Sequence, residues 1–367
     1  MYCCANCFDS PTLKEHINSE GSIGDCDCCS SKRIKIIAVS DLYEFFEPIF
    51  KMYREIEYGR DYHSEDNPLD HGELLPWLIN DEWAPFSEAF NFDILPDFFE
   101  ALIPLPGGKD DIENSLDLSS VYTSVESGFD DSWYSFSQYL KNNRRFTIID
   151  EGILHFTGFL PDVLSGIEIK VGKNKKYYRA RLGSGNNRKP LPKNEMGAPL
   201  PEKTLLGGRA NPPGISFLYL SDRPKTAISE ARPWKGATVS VATFITINKI
   251  QLVDLTTDFV IDDPFEYNDM LESLVSNQRL LRRLGKELSR PINPHKAGIE
   301  YVPTQYVTEI IRNLEYDGMI YPSALGKGKN IVLFDESVVR CDNVKLYEVD
   351  FVNYRISDFD PSKSDDD

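Results

Sequence analysis

Apolar positions divide the chain into two textures. From Ser40 to Tyr58, Leu42, Tyr43, Phe46, Ile49, Phe50, Tyr53 and Ile56 recur at three- and four-residue steps, which predicts an amphipathic helix capped by Ser40 or Asp41. Trp77, Trp83, Phe86, Phe90 and Phe92 follow between Leu74 and Phe99, broken by Pro76, Pro85 and Pro96, so short helices are expected there. Residues 131–141 give another helical pattern, and Phe146–Ile149 reads as a brief β segment. Beyond about residue 166 the pattern turns to β-branched runs separated by short helical stretches. The predicted strands are Tyr177–Leu182, Ser216–Leu220, Thr238–Ile247, Gln251–Leu255, Met319–Tyr321 and Asn330–Phe334. Asp222 is placed to cap a helix running through Arg232, and Asp263 to open one continuing towards Leu288; a third is expected over Thr304–Leu314. Gly183–Pro213, rich in Gly, Pro and Lys, reads as a long loop of the kind that often carries function.

Charge sharpens this division. The chain has 367 residues and a formal net charge of −18. Residues 41–130 hold 22 acidic and 4 basic side chains, and so carry the whole excess. Residues 171–240 hold 14 basic against 4 acidic, a local balance of +10 suited to an anionic ligand. The overall acidity argues against a duplex nucleic acid partner. No run of about 18 apolar residues predicts a membrane span, and Met1–Phe8 lacks the features of a targeting peptide, so a cytoplasmic protein is expected.

Six of the seven cysteines lie in the first 29 residues. Cys4-Ala-Asn-Cys7 and Cys26-Asp-Cys28-Cys29 form two C-x2-C pairs separated by 18 residues, the spacing of a four-thiolate zinc site. Cys4, Cys7, Cys26 and Cys29 are the candidate ligands of a structural zinc, with Cys3 and Cys28 close enough to substitute and His16 lying between the pairs. Disulfides are the alternative, disfavoured in a reducing compartment.

No standard phosphate loop, dinucleotide fingerprint or nucleophile elbow is present. Polar residues instead gather where the predicted strands end: Tyr178-Arg179-Ala-Arg181, then Gly208-Arg209-Ala-Asn211-Pro-Pro-Gly214 leading into Phe217-Leu-Tyr219, then Glu230 between alanines, and finally Tyr321-Pro-Ser323. This ordered set, followed by a glycine loop and a Val-Leu-Phe strand, resembles the RES domain. The likeness spans roughly residues 170–340. Some members resemble the whole layout, with a cysteine-bearing N-terminus and a helical HEPN-like segment, although the Arg-x4 to x6-His pair of HEPN ribonucleases has no equivalent in Arg60 with His63 or Arg145 with His155.

The resemblance implies an α+β fold: a mixed-sheet RES domain, ADP-ribosyltransferase-like, preceded by a mostly helical domain and a small zinc knuckle. The expected division is 1–32 knuckle, 33–165 acidic HEPN-like domain, 166–356 RES catalytic domain and 357–367 disordered acidic tail. It also implies an NAD-consuming enzyme, an NAD glycohydrolase or phosphorylase of a bacterial toxin or anti-phage effector, with ADP-ribosyl transfer to a protein as an in-class alternative. A non-enzymatic adaptor binding a basic partner is the alternative of another class. Arg179, Glu230 and Ser323 are the candidate catalytic residues, and Arg209, Tyr219, Asn211, Arg181 and Asn330 the candidate NAD contacts. The chemistry of these side chains agrees: guanidinium forks match a pyrophosphate, and a fixed carboxylate stabilises the positive charge that develops on ribose as nicotinamide leaves. Taken one at a time each residue has a plainer reading, Arg179 and Arg181 as strand-edge charges, Glu230 as a solvated helix residue and Tyr219 as core. An antitoxin-like regulatory protein and a homo-oligomer are the expected partners.

Overall fold

The computed structural model describes residues 1–56, 73–103, 116–124, 129–205, 207–257, 261–293 and 295–353. Arg60, His63 and the tail expected at 357–367 lie outside them. The chain divides into two compact units, Met1–Phe129 with Phe259–Arg279, and Asp130–Asp258 with Leu280–Asp367.

In the first unit, β1 (Tyr2–Cys4), β2 (Ser22–Gly24) and β3 (Ile34–Ala38) form an antiparallel sheet in the order β1-β3-β2. Helix α1 (Pro11–Glu20) starts at Ser10, whose Oγ accepts from Leu13 N, with Pro11 fitting the first turn where no N–H is needed. The amphipathic pattern from Ser40 forms only a short helix, α2 (Tyr43–Phe50), after a 3-10 turn over Val39–Leu42. Beyond it the expected helix is replaced by strand β4 (Tyr53–Glu55). Pairing explains the difference: β5 (Glu73–Leu74) and β4 both hydrogen-bond to β6 (Val121–Ser124), giving a second small sheet that the helical periodicity concealed. The aromatic run forms two short helices, α3 (Leu75–Trp83) and α4 (Leu95–Leu102), each beginning beside a proline. Their apolar faces meet α2 in a phenylalanine core. Phe46, Phe98 and Phe99 are fully buried, and the ring centroids of Phe46 lie 6.2 Å from Phe98, 5.9 Å from Phe99 and 4.8 Å from Phe265. Asp263 opens no long helix; it caps a 3-10 turn over Pro264–Glu266, and its Oδ2 accepts from Ser10 Oγ at 2.9 Å and Thr12 N at 3.0 Å. One carboxylate oxygen keeps the local cap, on Phe265 N at 3.3 Å, and the other makes the tertiary contact.

The second unit opens with α5 (Phe129–Asn142) and α6 (Glu151–Ser165), the latter capped by Asp150 Oδ1 on Ile153 N. No strand forms over Phe146–Ile149, and Phe146 is 99% exposed. A short apolar run becomes a strand only where a partner satisfies its backbone, and none pairs with it among the described residues. An eight-stranded sheet follows, built from β7 (Glu168–Val171), β8 (Lys176–Leu182), β9 (Leu218–Ser221), β10 (Thr238–Thr246), β11 (Ile250–Asp254), β12 (Gly318–Pro322), β13 (Lys329–Leu333) and β14 (Val339–Glu348). Its order is β14-β10-β8-β9-β13-β12-β11-β7, with β11 and β12 parallel and the other pairs antiparallel. This mixed sheet agrees with the α+β expectation.

Helix α7 (Pro224–Glu230) follows β9 and ends at Glu230. Its N-cap residue is Arg223 with no side-chain cap; Asp222, expected in that role, instead accepts from Lys329 N at 2.9 Å and ties the start of β13 to the end of β9. Helix α8 is Leu271–Ser289, and α9 (Ala297–Glu300) and α10 (Val302–Asn313) precede β12. Among the described residues no helix is long and apolar enough to cross a membrane.

Candidate functional site

Strand register builds the site. Strands β8 and β9 share a single residue pair, Tyr178 opposite Ser221; β9 and β13 pair Ser221 with Asn330; β13 and β12 pair Asn330 with Tyr321. Directly opposed residues project to the same face, so Tyr178, Ser221, Asn330 and Tyr321 form one lateral row across four strands. All four line a cavity of about 310 Å³, together with Arg179, Ala180, Tyr219, Leu220, Ala227, Glu230 and Ala231. The cavity lies where β8 and β9 cease to pair, and α7 supplies its remaining wall.

Glu230 stands at the end of α7, beside two alanines small enough to leave the space open. Its Oε1 accepts from Ser323 Oγ and from Asn330 Nδ2, each at 2.7 Å. Asn330 is itself held by Ser221 Oγ, which donates to its Oδ1 at 3.0 Å. Ser323 follows β12, and its N–H donates to Gly328 O at 3.0 Å, closing the loop that positions the hydroxyl. Carboxylate, amide and hydroxyl thus come together from positions 93 and 100 residues apart.

Arg179 reaches from β8 to Tyr219 O at 2.8 Å, and its Nε is enclosed without a hydrogen-bond partner. Burial, with Arg181 nearby as a second cation, lowers its pKa to about 10. Arg181 is turned away: it donates to Gly197 O at 2.9 Å, and it does not line the cavity. Tyr219 donates its hydroxyl to Asn211 Oδ1 at 2.5 Å and accepts from Ala210 N at 3.2 Å; burial pushes its pKa up to about 12. Asn211, 2% exposed, spends its amide on Ile215 O at 2.6 Å, so it buttresses Tyr219 and shapes the loop. That fit requires Gly208, because a Cβ there would stand 2.6 Å from Tyr219 Oη and 2.7 Å from Asn211 Oδ1. Arg209 donates to Arg290 O at 2.5 Å and lies over the Tyr301 ring, 5.4 Å from its centroid. It remains close enough to favour the ionised forms of Tyr219 and Tyr321.

The cavity therefore gathers Arg179, Tyr219, Glu230 and Asn330, with Ser323 bonded to Glu230, Asn211 behind Tyr219 and Arg209 alongside. Arg181 stays outside. Sequence reasoning gave no role to Ser221, Tyr321 or Tyr301. For Ser221 a signal existed, since it stands two residues after Tyr219 on the same strand face.

A second cluster lies in the first unit. The sulfurs of Cys4, Cys7, Cys26 and Cys29 all lie within 4.8 Å of one another. Cys4 to Cys7 is 3.8 Å, Cys4 to Cys29 is 3.4 Å and Cys7 to Cys26 is 3.5 Å. A tetrahedral metal with bonds of about 2.3 Å separates its sulfurs by about 3.8 Å, whereas a disulfide needs about 2.05 Å. The donor set fits a metal, and all seven cysteines are free thiols. Burial, followed by the Cys29 sulfur, pushes Cys4 up to about 12, while Cys26 is held low by its Cys28 and Cys7 neighbours. Crowded thiols share few protons' worth of ionisation unless a cation balances them. Cys28 turns its sulfur to Tyr2 O at 3.7 Å, and His16 packs on Phe45 with ring centroids 4.8 Å apart.

Residues 178–352 match the family profile described as RES domain. This chain carries a RES domain. The match runs from within β8 to beyond the end of β14 and includes every residue of the cavity. No curated protein matches the chain. Among solved structures, the crystal structure of the M. tuberculosis MbcT-MbcA toxin-antitoxin complex is similar at 16% identity and a TM-score of 0.30, covering 52% of this chain and 92% of that one.

Proposed function

We propose that the RES domain of this protein consumes NAD by cleaving the bond between nicotinamide and ribose. The observation that carries this reading is the placement of Glu230: a carboxylate with one oxygen fixed by Ser323 and Asn330, on a cavity that also holds the Arg179 guanidinium. In this reaction the C1′–N bond breaks and its electron pair stays on the nicotinamide nitrogen, discharging the pyridinium. Positive charge moves to the ribose, where Glu230 stabilises it more than in the ground state. Nicotinamide leaves neutral and needs no general acid. Water then bonds to C1′ and releases a proton; phosphate in its place would give a phosphorolysis, and a protein side chain an ADP-ribosyl transfer. Arg179 and Arg209 are assigned to the pyrophosphate, where cations replace hydration. Tyr219 is assigned to the ribose or the nicotinamide ring.

Unrestrained NAD loss would be toxic, which suits a toxin or defence effector held by an antitoxin-like protein. Incubation with labelled NAD tests the reading. Wild type should release free nicotinamide, and Glu230→Ala should not; indistinguishable traces would remove Glu230 from the site. Label retained on protein would favour ADP-ribosyl transfer.

For the first unit we propose a structural zinc held by Cys4, Cys7, Cys26 and Cys29. The four sulfurs leave no ligand position open, so the ion would bind turns together and supply no chemistry. Elemental analysis should find one zinc per chain, lost on Cys26→Ala.

A further inference from the structure

Glu230 accepts two hydrogen bonds on Oε1 and none on Oε2 among the described residues. A carboxylate only accepts, so it requires the amine end of Asn330. The amide's carbonyl end is then committed to the opposite direction, where it is buried: Asn330 is 6% exposed and Ser221 3%. A buried carbonyl without a donor carries the full cost of its lost hydration. Ser221 Oγ supplies that donor at 3.0 Å, from the strand position paired with Asn330 in the ladder. The polarity of the chain is therefore fixed from one end to the other, Ser221 to Asn330 to Glu230, with Ser323 closing it from the other side.

We infer that Ser221 is a positioning residue: its hydroxyl locks the Asn330 amide, which with Ser323 pins Oε1 of Glu230 and leaves Oε2 as the oxygen presented to the reacting ribose. This rests on the proposed NAD cleavage. Ser221 lines the cavity, but its hydroxyl proton is spent on Asn330, so in this arrangement it acts through the amide. Loss of its hydroxyl acts on the transition state through the aim of the carboxylate, and leaves the groups assigned to NAD binding in place.

Steady-state NAD cleavage by Ser221→Ala, Ser221→Thr and wild type tests the inference. Ser221→Ala should lower kcat about tenfold, the equivalent of one hydrogen bond, with KM within about twofold of wild type. Ser221→Thr, which keeps the hydroxyl, should restore most of the rate. An unchanged kcat in Ser221→Ala, or a loss confined to KM, would overturn it. A second measurement stands apart from activity. The side-chain amide of Asn330, assigned by the signal missing in Asn330→Asp, should be protected from hydrogen exchange in wild type and unprotected in Ser221→Ala. Equal protection in the two would refute the lock even where NAD is not the substrate, whereas an inert wild type with the expected exchange pattern would refute only the NAD reading.

Discussion

The thiol cluster of the first unit and the Glu230 cavity of the second are both assembled from groups distant in sequence, yet their ionisable atoms face opposite ways. The four sulfurs turn towards one another, within 4.8 Å, in a unit whose core is fully buried phenylalanine. The cavity residues keep an atom in reserve: Oε2 of Glu230 has no partner among the described residues. Groups satisfied by each other stabilise a fold, and groups held rigid but unsatisfied await a ligand. Substitutions in the first region should therefore move stability, and those in the second should move activity.

The largest expected effect is removal of the proposed zinc. Structural zinc contributes on the order of 10 kcal/mol to small domains, so a strong chelator should abolish the near-ultraviolet circular dichroism of the aromatic core. A spectrum unchanged after zinc has left would show that the phenylalanine core suffices by itself. Next comes Phe98→Ala, which empties a site contacting Phe8, Phe46, Phe86, Phe90 and Phe99. It should cost about 3–5 kcal/mol, read from the urea midpoint.

Glu230→Gln reverses the pattern. The amide keeps the shape and one acceptor but loses the charge, and kcat should fall about 100- to 1,000-fold. Stability should stay within about 1 kcal/mol of wild type. A variant that lost stability and kept its rate would place Glu230 among the structural residues and dissolve the contrast between the regions.

How much of this was legible in the sequence depended on the range of the interaction. The C-x2-C pairs could be read because two turns each present two sulfurs locally. Strands β8 to β13 could be read because a sheet favours aromatic and β-branched side chains within a short run, Tyr177 and Tyr178 in β8 and Val239, Val241 and Ile245 in β10. The failures came where a distant partner decided. Tyr53–Glu55 left its helical pattern because β6 pairs with it, Asp222 left its cap because Lys329 N took its oxygen, and Asp263 caps only a short turn while its other oxygen holds Ser10 and Thr12. Arg179 and Arg181 were equivalent by spacing. Only the single-pair junction of β8 and β9, which no local pattern encodes, puts one in the cavity and ties the other to Gly197.

That separation of the two arginines gives the smallest effect. Burial and the Arg181 charge lower Arg179 to about 10, so it is half neutral near that pH, and if the cation binds the pyrophosphate, KM for NAD should rise roughly twofold between pH 8 and 10. Its folded pKa lies below the ordinary 12.5, so the folded chain carries fewer protons there than the unfolded one, and this group's contribution to stability rises with pH. Tyr177 and Tyr219, raised to about 12, act oppositely and lose stability above about pH 10, which confines a clean measurement to lower pH. Arg181→Ala separates the cause from general alkaline weakening. It removes the neighbouring like charge, so the rise in KM should move to higher pH while kcat at pH 8 stays near wild type. A KM rise at the same pH in both proteins would mean that the Arg181 charge does not set where Arg179 titrates, leaving burial as the cause.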